Sequence, residues 1–223
     1  MSSSVTTIVP PRESLTISAT PLTSATFAPF GSVIQLPPST NGAATTVNQG
    51  TAQKYLKVSP FTSAACPSGS PANFNINIFV CAPRKLSGEF KNVFQCKILE
   101  RHPYTSQSFI PLGLDPDPEN KTSSRFLVIV SHTLTSIPGN PPDLENLKAF
   151  ICSGSQGVTY AAGTWHAPMV ALGERPIEFV VLVHENGVDG EDTQEVLIGE
   201  NGIAVKVLAM GNGENGLWAK AKF

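Results

Sequence analysis

The stretch Asn73-Phe74-Asn75-Ile76-Asn77-Ile78-Phe79-Val80 decides the fold class, because polar and apolar side chains alternate through it with a period of two. Successive side chains of a strand project to opposite faces, so the alternation marks a half-buried β-strand. Val93-Phe-Gln-Cys-Lys-Ile-Leu-Glu100 continues in the same style. Arg125-Phe-Leu-Val-Ile-Val130 and Ile177-Glu-Phe-Val-Val-Leu-Val183 are short, rich in β-branched residues and bounded by turn residues, as expected of central strands in a core.

Between these runs the chain is heavily punctuated. Asp115–Asn120, Pro138–Pro142 and Asn186-Gly187 carry turn chemistry through the fixed φ of proline and the permissive backbone of glycine. With 19 prolines, 18 glycines and only 14% charged residues, long exposed helices are not expected. Asp143 is suited to cap one or two helical turns that include Leu144 and Leu147. Residues 37–51, small and polar, read as a loop or a wall of a site. An all-β protein follows.

At 223 residues the chain is long enough for one substantial core, and a single domain is expected. The net charge of −2 and the scattered basic residues give no footprint for nucleic acid or for an anionic membrane, which points to a small-molecule partner. Cys66, Cys81, Cys96 and Cys152 form no C-x-x-C pair and read as buried thiols. No apolar run approaches eighteen residues, and Met1–Thr7 lacks a basic segment leading into one. The expected compartment is the cytosol; the ending is not Ser-Lys-Leu, and peroxisomal import by another signal stays open.

The chemistry gathers in two segments. In Glu100-Arg101-His102-Pro103-Tyr104-Thr105-Ser106-Gln107, Glu100 and His102 stand at i and i+2 and share a strand face if Arg101 points to solvent. Pro103 ends the ladder, so the chain can bend and bring Gln107 back to the same space. About sixty residues on, Gly163-Thr164-Trp165-His166 supplies a turn and a lone histidine at a strand start. Imidazole and carboxylate are good ligands for divalent first-row metals and an amide oxygen a weaker one. The same four residues equally make a buried polar cluster joined by hydrogen bonds. His132, after an apolar strand, reads as a surface residue; His184, beside Glu185, suits either the cavity or solvent.

The arrangement Glu100-x-His102-x4-Gln107 with Gly163-x-x-His166 resembles the two cupin motifs, with Glu in place of the first His and Gln in place of the Glu. More closely, Glu100-Arg-His-Pro-x-x-x-Gln-x-Phe-Ile-Pro111, Pro142-Asp-Leu-x-x-Leu-x-Ala-Phe150, Gln156-Gly-Val-x-Tyr160 and Thr164-Trp-His-x-Pro168 together resemble the ureidoglycolate lyase family of allantoin degradation, its fungal members above all. Phe27–Ile34 is similar to that family's N-terminal strand. The resemblance implies a cupin-like double-stranded β-helix, a jelly-roll barrel with a few short helices, as one domain over residues 16–223 behind a loose segment 1–15. It implies cleavage of (S)-ureidoglycolate to glyoxylate and urea by Glu100, His102 and His166. It also implies a homodimer.

What else the resemblance implies is less sharply drawn. A divalent metal (nickel, manganese or zinc) would sit on Glu100, His102, Gln107 and His166, although the site also reads as metal-free. Substrate binding falls to Lys54, Asn48, Gln107, Tyr160, Arg84 and Glu185, with Lys54 preferred for the substrate carboxylate. Bacterial relatives carry a second histidine where this chain has Ala167, and an arginine near Cys81 that only Arg84 is placed to replace. The rival readings are a ureidoglycolate amidohydrolase, which releases ammonia and carbon dioxide, and a non-catalytic cupin that binds a small ligand.

Overall fold

The structure, a computed structural model, describes residues 6–8, 15–37, 44–112 and 125–207. The expected loop at Asp115–Asn120 lies outside them. Among the described residues the strands form a large sheet, a five-stranded sheet, a three-stranded sheet and a two-stranded hairpin. The large sheet runs in the order Thr6–Ile8, Gln194–Ile198, Ile98–Arg101, Trp165–His166, Arg125–Ser131, Lys148–Ser153 and Thr20–Pro21, with Val170–Leu172 also on Arg125–Ser131. Facing it is the order Gly31–Ile34, Gly157–Tyr160, Gln107–Leu112, Ile177–Glu185 and Asn73–Cys81. This is the expected all-β, cupin-like class. The described helices are short: Ser24–Phe27, and 3-10 turns at Asn48–Gly50 and Leu144–Asn146, the latter capped by Asp143, which accepts from the Asn146 amide. No described helix is long and apolar enough to cross a membrane.

Two cores explain why the strand Arg125–Ser131 is apolar without interruption. Phe126, Val128 and Val130 point into the space between the two larger sheets, where they meet Phe150, Phe179 and Val181. Leu127 and Ile129 point the other way, into a second core with Leu99, Trp165, Ile203 and Val205. The three-stranded sheet of Thr16–Ser18, Ile203–Lys206 and Val93–Cys96 supplies part of that second core. The large sheet is thus a middle layer, and a strand covered on both faces has no polar side to show. Val93–Glu100 breaks in consequence: Val93–Cys96 belongs to the outer sheet and Ile98–Arg101 to the middle one.

At Asn73–Cys81 the expected alternation is present, but the apolar set faces outward. Phe74, Ile76, Ile78 and Val80 are 48–64% exposed, while the alternate residues Asn75 and Asn77 are partly buried. Among the described residues the strand forms an edge, paired only through Ile177–Glu185. Residues 44–51 of the segment read as a loop or a wall of a site fold, together with 52–55, into a hairpin of Ala44–Val47 and Ala52–Tyr55.

Gly31 closes the barrel against Gly157–Tyr160. Its φ is +150°, and a Cβ there would stand 1.9 Å from the Thr159 carbonyl oxygen. Gly31→Ala is therefore expected to cost about 3 kcal/mol or more. Thermal unfolding checks this, and an unchanged Tm would mean that the backbone yields.

Candidate active site

Glu100 and His166 stand directly opposite each other on neighbouring antiparallel strands, so their side chains share a face. That face looks into the space between the two larger sheets. His166 is 1% exposed, and its Nε2 lies 3.5 Å from Glu100 Oε1. His102 follows two residues after Glu100, just past the strand end. Gly163, at φ +79°, makes the turn that precedes His166, and its amide donates to the His102 carbonyl at 2.7 Å. One turn therefore clamps the two distant segments together.

The hydrogen-bond partners fix the tautomers. His102 Nδ1 lies 2.6 Å from the Asp192 carbonyl oxygen, and His166 Nδ1 lies 3.0 Å from that of Thr164. A carbonyl only accepts, so each Nδ1 carries hydrogen and each Nε2 faces the site. The rings lie 5.8 Å apart at 23°. His102 Nε2, His166 Nε2 and Gln107 Oε1 are buried without a hydrogen-bond partner. Such an atom costs about 1–3 kcal/mol while unpaired. Three in one place make a site that gains by binding a ligand with matching groups.

Burial alone would raise the Glu100 carboxyl, but the contact with His166 and the charges of His166 and His102 outweigh it and hold it below the usual carboxylate value. The His102 imidazole is lowered, first by burial and then by repulsion from His166; the Asp192 carbonyl, Glu100 and Glu185 oppose this. Tyr160 stacks on His166 at 3.9 Å and 13°. Burial pushes the Tyr160 phenol well up. A groove of about 840 Å³ is lined by Glu100, Trp165, Asp189, Thr193, Gln194 and Glu195, and not by His102, Gln107, Tyr160 or His166. None of these residues lines the apolar groove of about 360 Å³ between Ile34, Tyr55 and Ile110.

Glu100, His102, Gln107, His166 and Tyr160 are thus brought to one place, and Glu185 stands near them, bonded to Asn75. The Tyr160 hydroxyl, however, is turned toward Met169 Sδ at 4.0 Å, away from a ureido group in the site. Lys54 and Asn48 are exposed on the hairpin, which pairs with no other described strand, and Arg84 lies exposed over Phe94 of the outer core. His132 is exposed and stacks on Phe30; His184 packs between Phe61 and Phe74.

Arg101 does not point to solvent. It is 6% exposed, bonded to Gln194 and Thr133 and stacked over Trp165, because the other face of the middle sheet is covered by the second core. The donor types suit a divalent ion, but among the described residues no three His, Cys, Asp or Glu side chains converge closely enough to hold one. Sequence reasoning missed Asp192, which acts through a backbone carbonyl, and Asn75, whose inward direction the alternation alone does not give.

A family model described as ureidoglycolate lyase matches residues 14–206. The ureidoglycolate lyase of Schizosaccharomyces pombe is 37% identical over 185 residues, which cover 82% of this chain and 91% of that protein. The Burkholderia mallei ureidoglycolate lyase is 36% identical over 181 residues, covering 81% and 88%. That of Saccharomyces cerevisiae is 40% identical over 152 residues, covering 62% and 69%. A match across nearly the whole described barrel, including both segments that meet at the Glu100–His166 pair, means that this chain belongs to the ureidoglycolate lyase family.

Proposed function

We propose that the chain splits (S)-ureidoglycolate into glyoxylate and urea; the relatives it matches are named ureidoglycolate lyases. The observation that carries this reading is the buried pair of imidazoles, each held through Nδ1 by a carbonyl and each presenting Nε2. The reaction is an elimination. His102 Nε2 takes the proton of the carbinol hydroxyl, the C=O bond forms, and the C–N bond breaks as the ureido nitrogen gains a proton. That proton comes from His166 Nε2, which lies 3.5 Å from Glu100 Oε1 on a ring stacked against Tyr160. The open Gln107 Oε1 accepts from a ureido N–H.

These steps use side chains alone and need no attacking water. Lys54, Asn48 and Arg84 carry none of them. Purified protein is expected to release urea and glyoxylate in equal amounts with no ammonia. Stoichiometric ammonia would mean an amidohydrolase, and no turnover with or without added nickel, manganese or zinc would mean a binding protein. Elemental analysis of the active chain tests whether nickel, manganese or zinc sits on Glu100, His102, Gln107 and His166.

We infer a homodimer in the cytosol. The support is the edge strand Asn73–Cys81, whose outward row Phe74, Ile76, Ile78 and Val80 leaves an apolar patch and an open backbone edge together. Ile78→Asp is expected to turn a dimer into a monomer in sedimentation at micromolar concentration. A monomeric wild type would sink the inference.

A further inference from the structure

The turn that joins Ile177–Glu185 to Gln194–Ile198 crosses from the five-stranded sheet to the middle sheet, and His102 hangs from it. The turn holds itself closed from within. The Asp192 carboxylate accepts from the Asn186 amide at 2.7 Å through one oxygen and from the Gly187 amide at 2.6 Å through the other. The Asn186 side chain in turn accepts from the Val188 amide at 2.9 Å. The Asp192 amide donates to the Val188 carbonyl at 3.2 Å. Both oxygens of one carboxylate thus fix the residue whose own carbonyl meets His102 Nδ1 at 2.6 Å.

We propose that Asp192 is a positioning residue of the site. Its side chain sets the turn, the turn sets its carbonyl, and the carbonyl holds the His102 ring with hydrogen on Nδ1 and Nε2 free for the substrate hydroxyl. The inference rests on the reading of His102 as the base. Without the carboxylate, the Asn186 and Gly187 amides lose their acceptor and the carbonyl is no longer directed. The ring then turns, or the hydrogen moves to Nε2, where it blocks proton removal. The neighbouring Glu191 fastens the same turn outward, accepting from the Ser68 amide, the Ser68 hydroxyl and the Asn186 side chain at 2.7 Å each, and has no bond to His102. It separates general slackening of the turn from loss of the carbonyl's direction.

The test uses the full chain. Asp192→Ala is expected to lower kcat about 10- to 100-fold with KM little changed, the range seen when a group orienting a site histidine is removed. Asp192→Asn keeps one acceptor oxygen and should recover part of that loss. The side-chain 15N resonances of His102 should show hydrogen on Nδ1 in the wild type and a mixture in Asp192→Ala. Glu191→Ala should leave those resonances as in the wild type. A full-rate Asp192→Ala enzyme overturns the positioning role: if its His102 resonances have moved, the fault lies in the assignment of His102 as base, and if they have not, in the turn. An equal change of kcat and resonances in Glu191→Ala also overturns it, since Asp192 would then do no more than stiffen a loop.

Discussion

His102→Ala is expected to lower kcat by about 10²- to 10⁴-fold, the usual contribution of a positioned general base, while the fold persists. The argument runs from the ring's surroundings. His102 is 6% exposed, its Nδ1 is spent on the Asp192 carbonyl, and its Nε2 has no protein partner, so what the chemistry loses with the ring is the proton acceptor. The wild-type pH profile carries the same information. Burial and His166 lower the His102 value, so the neutral, base-competent form survives to a lower pH than an ordinary imidazole allows. The acidic limb of kcat/KM should therefore fall below about 6.5, the reference value for histidine. An acidic limb above that value, or substantial activity in His102→Ala, would remove His102 from the mechanism.

What the sequence made legible follows from what strand periodicity can say. Spacing of two placed Glu100 and His102 together, and the turn at Gly163 explained the approach of His166, because these relations are local and steric. Alternation in Asn73–Val80 identified a strand and left its orientation open: the pattern is the same whether the isoleucines or the asparagines face in. Arg101 was misread for a related reason. A side chain opposite Glu100 reaches solvent only in a two-layer barrel, and the outer core of Leu99, Trp165 and Ile203 that covers it is assembled from segments scattered along the chain. Asp192 had no signature at all, since any residue offers a carbonyl. The hairpin at 44–55 was hidden because Ala44-Thr-Thr-Val47 and Ala52-Gln-Lys-Tyr55 carry too little apolar periodicity to stand out from the surrounding loop.

Glu100→Gln and His166→Ala should each reduce kcat by about 10²-fold or more, and together by scarcely more than either alone, because the two side chains act as one proton-holding unit. Glu100 is charged in the site only because the neighbouring imidazoles offset its burial. With His166 gone, burial acts with less opposition and the Glu100 carboxyl rises, so the single replacement disables both groups. The same contact makes stability depend on pH with a definite sign. A carboxyl held below its unfolded value stabilises the fold above that value, and this stabilisation is lost as pH falls through the lowered, folded value. Thermal unfolding between about pH 7 and pH 3 should therefore show a smaller acid loss in Glu100→Gln than in the wild type, over the usual carboxylate range. If the two single variants multiplied their effects on kcat instead, the 3.5 Å contact would be an accident of packing and the leaving nitrogen would draw its proton from elsewhere.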